Sequence, residues 1–251
     1  MKLTDYAGRY ETIRFEREAG VLEMTLHTRG GEALWGVTEQ SLHAELGRAF
    51  ADIAADPENK VVLLTGTGAN FIAAMDTQAR PPETNRADAW RRIYQEGVAL
   101  LENLMAVPVP VIAAVNGPAL IHAEVACLGD IVLAAEHAEF ADLAHVPNGV
   151  VPGDGVQAVW LALLGPNRGR HFLLTGARIP ASEAHRLGFV AEVLAAGELM
   201  DRARTLARGL AQNSLEMLRH TRTVLTRDLR RRLRDELELG LAVEALTILG
   251  Q

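Results

Sequence analysis

Apolar and polar residues alternate from position 21: Val21, Glu23 and Thr25 interleave with Leu22, Met24 and Leu26. A period of two predicts a strand over 21–28. Between 40 and 55 the period changes. Leu42, Leu46, Ala49, Phe50 and Ile53 recur at helical spacing, and Asp56-Pro57 ends the run. The stretch KVVLLT at 60–65 reads as a short buried strand, closed by Gly66-Thr67-Gly68. Residues 86–105 are helical again and stop before Pro108 and Pro110. VIAAV at 111–115 is another buried strand, and Asn116-Gly117-Pro118 is a turn. A short helix over 124–128 and an apolar strand over 131–134 follow. Strand, helix, strand, helix, strand, helix, strand implies an α/β fold with crossover connections.

Beyond this, NGVVPGDG at 148–155 is rich in glycine and proline and must turn tightly. Helical periodicity returns over 156–164 and 167–174, and a segment at 181–187 ends at Gly188, a good residue to follow a helix. After 189–193 the pattern is almost purely helical. Leu199, Ala203, Leu206, Ala207 and Leu210 make one stripe, and Leu225, Leu229, Leu233, Leu237 and Leu241 make a row on a second helix. Such rows suit packing on a neighbour or a subunit interface. The expected division is a core over 1–195 and a helical region over 196–251 that packs at the subunit interface.

Composition narrows the function. With 251 residues, 49% of them hydrophobic, the chain can bury one sizeable core. Its net charge of −7 argues against a nucleic-acid partner. The basic stretch Arg230, Arg231, Arg232 and Arg234 runs directly into Asp235, Glu236 and Glu238, which reads as a solvated helix face with mixed ion pairs. The single cysteine, Cys127, lies between Ala126 and Leu128 and reads as a buried thiol, so no internal disulfide forms. No apolar run approaches membrane-spanning length, and the first residues lack signal-peptide form. A cytoplasmic location is expected, with no membrane partner.

Four groups stand out for chemistry: Trp35, His122, His145 and Asp154. His145 and Asp154 lie in or beside irregular chain, where functional groups are commonly placed. A histidine beside a carboxylate is a general-base unit, but a loop histidine and a turn-forming aspartate explain the same residues. His122 follows a turn, near a helix start, where a neutral imidazole could stabilise an oxyanion; it could equally be a satisfied buried histidine. Glu124 could titrate in the same pocket or cap the helix. Trp35 offers one indole N–H, or only packing. His122, His145 and Asp154 match no compact metal-ligand spacing, and no nucleophile elbow or phosphate loop is present. A cofactor-free, metal-free site is the simplest reading.

VIAAVNGPALIHAEVACLGD at 111–130, IVLAAEHAEF at 131–140, NGVVPGDG, Leu174-Thr175-Gly176 and Arg186-Leu187-Gly188-Phe189-Val190 occur in that order. Together they resemble the enoyl-coenzyme A hydratase/isomerase (crotonase) superfamily over most of the chain. The resemblance implies a spiral core of ββα units, a helical C-terminal region, and homotrimers or dimers of trimers. Three positions depart from the hydratase pattern. Ile121-His122-Ala123 replaces a glycine run, His145 replaces a catalytic glutamate, and Asp154 replaces a loop alanine. Glu124 stands where the other hydratase glutamate usually does. These departures, with Leu34-Trp35, Asp142 and Glu244-Ala245-Leu246, resemble β-diketone hydrolases of the 6-oxocamphor hydrolase type. That resemblance implies cleavage of a small 1,3-diketone by water, with His145 and Asp154 as a catalytic dyad. Trp35 and His122 would bind the carbonyl that becomes the enolate, and Glu244 would support the pocket. Residues 71–89 would form a lid. Two other readings stay open: a coenzyme A thioester enzyme using Glu124 and His145, and a non-catalytic scaffold.

Overall fold

The computed structural model describes residues 1–79 and 86–250. The chain enters through a short helix, α1 (Leu3–Tyr6), and a hairpin of β1 (Ile13–Glu18) and β2 (Val21–Leu26), paired antiparallel with Phe15 opposite Met24. The two-residue strand β3 (Leu34–Trp35) leads to α2 (Leu42–Ala55) and β4 (Val61–Gly66). Next come β5 (Ala74–Met75), α3 (Arg86–Ala106), β6 (Val111–Val115), α4 (Glu124–Cys127), β7 (Ile131–Ala135) and β8 (Glu139–Phe140). A 3-10 turn at Val146–Asn148 precedes α5 (Val156–Thr175), β9 (Ile179–Pro180), α6 (Ala181–Leu187) and β10 (Glu192–Leu194). Three helices close the chain: α7 (Leu199–Ala211), α8 (Leu215–Leu225) and α9 (Arg227–Leu249).

The main sheet has six strands in the order β1-β2-β4-β6-β7-β10, and every pair after the first is parallel. Parallel strands need crossovers that cover both faces, so their residues are buried on both sides. This explains why Val61–Leu64 of β4 and all of β6 are apolar. Odd and even positions face opposite layers. Val61, Leu63, Ile112, Ala114 and Leu133 meet Leu199, Ala203 and Ala207 of α7, while Val62, Leu64 and Ala113 face the main core with α2, α3 and α9. The expected α/β architecture with C-terminal helices is therefore present.

Several local expectations shift. β1 and the two-residue pairs β3–β5 and β8–β9 were not expected from periodicity. β10, which pairs with β7, was likewise assigned no element from the pattern. The leucine row is shorter than expected. Leu233, Leu237 and Leu241 are buried in α9, but Leu225 ends α8 and is 73% exposed. The helix is interrupted at Thr226, whose hydroxyl donates to the Arg222 carbonyl. The two helical segments around 165 are confirmed, since Gly165 has φ 74° and ψ 166° inside α5. Part of the expected lid, 80–85, lies outside the described residues. The Met75 end of 71–79 pairs with Trp35 through β3–β5.

α9 crosses directly over the loop before α5. A Cβ on Gly240 would lie 2.1 Å from the Gly153 carbonyl oxygen, and one on Gly153 would lie 2.2 Å from that of Gly240. Two glycines facing each other let the helix backbone touch the loop that carries Asp154.

Candidate active site

The irregular chain between secondary elements supplies the functional side chains. His122 sits just before α4 with φ 50°, the left-handed region that a β-carbon disfavours by roughly 1–2 kcal/mol. Histidine here replaces the glycine that the conformation favours, and packing holds it. His145 immediately precedes the 3-10 turn of Val146–Asn148, and Asp154 precedes Gly155, whose φ of 101° only glycine adopts readily. Glu244 arrives from α9.

These groups converge. His122 Nδ1 is 2.9 Å from Glu124 Oε1 and 3.1 Å from Asp154 Oδ2. His145 Nδ1 is 2.7 Å from Asp142 Oδ1, and its Nε2 is 3.3 Å from Asp154 Oδ1 and 4.0 Å from Glu244 Oε1. The first contact of each histidine is a hydrogen bond. The His145–Asp154 approach is an ion pair without hydrogen-bond geometry, since Asp154 Oδ1 is buried with no hydrogen-bond partner. The Trp35 indole stacks on the His122 ring with centroids 4.0 Å apart, and the two imidazoles meet edge to face at 5.4 Å.

Four carboxylates thus face two imidazoles, and the charges follow. Burial alone would strip the proton from His122, but Glu124 and Asp154 outweigh it and push its pKa up to about 10. Burial likewise opposes the His145 imidazolium, but the Asp154 charge and the Asp142 hydrogen bond win, and its pKa rises well above the usual value. Burial works against Asp154 too, yet both imidazolium charges hold its carboxyl well below the ordinary range. Glu244 goes the other way: burial and the Asp154 charge raise it to about 8. The surroundings thus favour the charged form of both imidazoles and the carboxylate form of Asp154, and they favour the neutral acid at Glu244. Around His122 the charges of Glu124 and Asp154 favour a cationic donor, where the sequence left open a neutral imidazole or a satisfied buried histidine.

A cavity of about 260 Å³ opens onto this cluster. Its polar end is made by Trp35, His43, His122, His145, Asp154 and Glu244, and its walls by Val37, Met75, Trp90, Ile93, Leu241 and Ile248 among others. The structure brings together His145, Asp154, His122, Trp35 and Glu244 as expected neighbours. Glu124 differs: it does not line the cavity but sits behind His122, 2% exposed. Two groups carried no role in the sequence analysis. Asp142 is hydrogen-bonded to His145 and 1% exposed; it entered the sequence analysis only as part of the family resemblance, and its place three residues before a candidate base was the further signal. His43 is buried in α2 beside Glu96 Oε2 at 3.2 Å, and nothing in a helical pattern marks it. His122, His145 and Asp154 also offer ligand-type atoms within 4.8 Å of one another. Local spacing could not reveal such a cluster. Among the described residues no helix is long and apolar enough to cross a membrane.

A family model described as enoyl-CoA hydratase/isomerase matches residues 16–247. A structure of a β-diketone hydrolase from the cyanobacterium Anabaena sp. PCC 7120, bound to (S)-3-oxocyclohexyl acetic acid, is 40% identical with a TM-score of 0.92. That match covers 97% of this chain and 96% of the other. An enoyl-CoA hydratase/isomerase from Mycobacterium paratuberculosis is 27% identical at TM-score 0.85, covering 95% and 94%. Among curated proteins, a carnitinyl-CoA dehydratase from Salmonella arizonae is 35% identical over 205 residues, 81% of this chain and 76% of that protein.

Proposed function

We propose that this chain, which belongs to the enoyl-CoA hydratase/isomerase (crotonase) family, hydrolyses a carbon–carbon bond of a cyclic or bicyclic 1,3-diketone. The observation that carries this reading is the pair of imidazoles bridged by Asp154 at the polar end of an otherwise apolar chamber. A chamber of about 260 Å³ suits a small ring system. The likeness to the Anabaena β-diketone hydrolase supports it. A six-membered ring ketone with an acetic-acid arm is what water yields on opening one bridge of a bicyclic 1,3-diketone.

The chemistry needs no coenzyme, because a 1,3-diketone carries its own electron sink. One carbonyl binds against Trp35 Nε1–H and the His122 imidazolium. His145 Nε2, beside Asp154, takes a proton from water as the water oxygen attacks the other carbonyl carbon. The tetrahedral intermediate collapses to a carboxylic acid, and the bond to the central carbon breaks. Its electron pair moves onto the first carbonyl as an enolate, whose oxygen the two donors hold. The proton taken by His145 returns to the central carbon, so water and diketone together become one keto acid.

Removing an oxyanion donor typically costs about 10²–10³ in kcat. His122→Ala and Trp35→Phe are each expected to lose that much, measured by steady-state kinetics. An unchanged rate in both would remove them from the enolate site. Because His145 must shed its proton to act as a base, kcat is expected to rise with pH along a limb above the ordinary histidine value of 6.5. Asp154→Asn removes the largest charge holding that proton, so the limb should move to lower pH even as the rate falls; a pH–rate profile checks both.

Incubation with bicyclic 1,3-diketones in ¹⁸O-water, with chelator present and no coenzyme A, tests the reading. One ¹⁸O in a ring-opened keto acid is the expected product. The names of the carnitinyl-CoA dehydratase relatives favour a second reading, a coenzyme A thioester enzyme. Turnover of an enoyl- or acyl-coenzyme A, with every diketone untouched, would put it in place of the first.

A further inference from the structure

His145 has a carboxylate at each ring nitrogen, and the two are not equivalent. Asp142 meets Nδ1 at 2.7 Å in a hydrogen bond, whereas Asp154 approaches Nε2 at 3.3 Å without one. Asp154 lines the cavity; Asp142 is not among the lining residues and is 1% exposed. The His145 ring is the only hydrogen-bond partner of the Asp142 side chain among the described residues, and its Oδ2 is buried with none. Burying a carboxylate for a single contact is costly. A carboxylate at one imidazole nitrogen fixes which nitrogen keeps the proton and which meets the substrate.

We propose that Asp142 is the residue that positions the base: it holds Nδ1–H of His145, so Nε2 meets water, and Asp154 is left on the reacting face. Asp154 then lies where it can accept the second hydrogen of the attacking water and balance the charge on both imidazoles. This rests on the diketone reading for its rate consequences but not for its geometry. The groups facing His145 are Asp142 at Nδ1, Asp154 and Glu244 on the Nε2 side, and the His122 ring.

Nitrogen-15 and proton NMR of histidine-labelled protein tests the geometry without substrate, with His145→Gln assigning the signals. At a pH where the ring is neutral, the His145 proton is expected on Nδ1, far downfield as suits an imidazole N–H on a buried carboxylate. Asp142→Asn should move that signal upfield, and Asp154→Asn should leave it in place. A proton on Nε2 in the wild type, or a signal that responds to Asp154→Asn instead, would overturn the proposal even if Asp142→Asn failed to fold. In kinetics, Asp142→Asn is expected to lower kcat for diketone hydrolysis about 10³–10⁴-fold, as loss of the orienting carboxylate does in hydrolase triads. KM should stay within about twofold, because Asp142 does not touch the chamber. A kcat within threefold of wild type would equally overturn it. Expected spectra from a protein that turns over no diketone would sink the diketone reading and leave the positioning role standing.

Discussion

His145→Ala is expected to lower kcat for diketone hydrolysis by about 10³–10⁴-fold, the scale of a lost general base. It should also destabilise the fold. Asp142 and Asp154 keep their places when the cation between them is gone, and breaking a buried pair leaves an uncompensated charge worth about 3–5 kcal/mol. For a chain of this size that corresponds to a fall in Tm of about 10 °C. The two effects separate experimentally. Kinetics at a temperature where the variant is still folded isolates the lost base, and a melting curve reports the lost buried pair. A folded His145→Ala protein with undiminished turnover would move the base elsewhere.

Gly240→Ala carries the other large expected effect, and it needs no change at any charged group. The new methyl would stand 2.1 Å from the Gly153 carbonyl oxygen and 2.5 Å from Gln157 Nε2. The first neighbour is backbone, so it cannot swing aside; helix and loop must part. Separation strips contacts from Leu233, Leu237 and Leu241, and withdraws Glu244 from His145. Overpacking of this kind costs about 3 kcal/mol or more, since both sides are main chain. Denaturant unfolding should show that loss, with kcat falling alongside. Gly209→Ala supplies the contrast. Nothing lies within 4 Å of its added methyl, inside α7, so the better helix former should stabilise by about 0.5–1 kcal/mol. Equal stability of the two variants would show that the Gly153–Gly240 contact is not close in solution.

What the sequence determined by itself was the set of elements with a clear period. The alternation at 21–26 and the apolar runs at 61–66 and 111–115 became β2, β4 and β6 because burial on one or two faces leaves a pattern in the chain. The helical stripes of α2 and α7 were legible for the same reason. Irregular, glycine-rich chain pointed to where His122, His145 and Asp154 would lie, and the departures from a hydratase pattern pointed to which groups carry chemistry. β3, β5, β8 and β9 were not legible, because two residues cannot display a period. Leu225 was misplaced because spacing alone does not register a helix break at Thr226.

Only the tertiary structure decided which carboxylate serves which histidine. Asp142 and Asp154 flank His145 in sequence at unequal distances, but opposite ring nitrogens receive them because the 3-10 turn and the following loop fold back on the ring. Glu244 joins them only because two glycines allow α9 to touch that loop. The protonation of His122 and His145 was likewise out of reach. It depends on how deeply four carboxylates and two imidazoles are buried together, and desolvation and charge are properties of their distances in space, which a linear sequence does not contain.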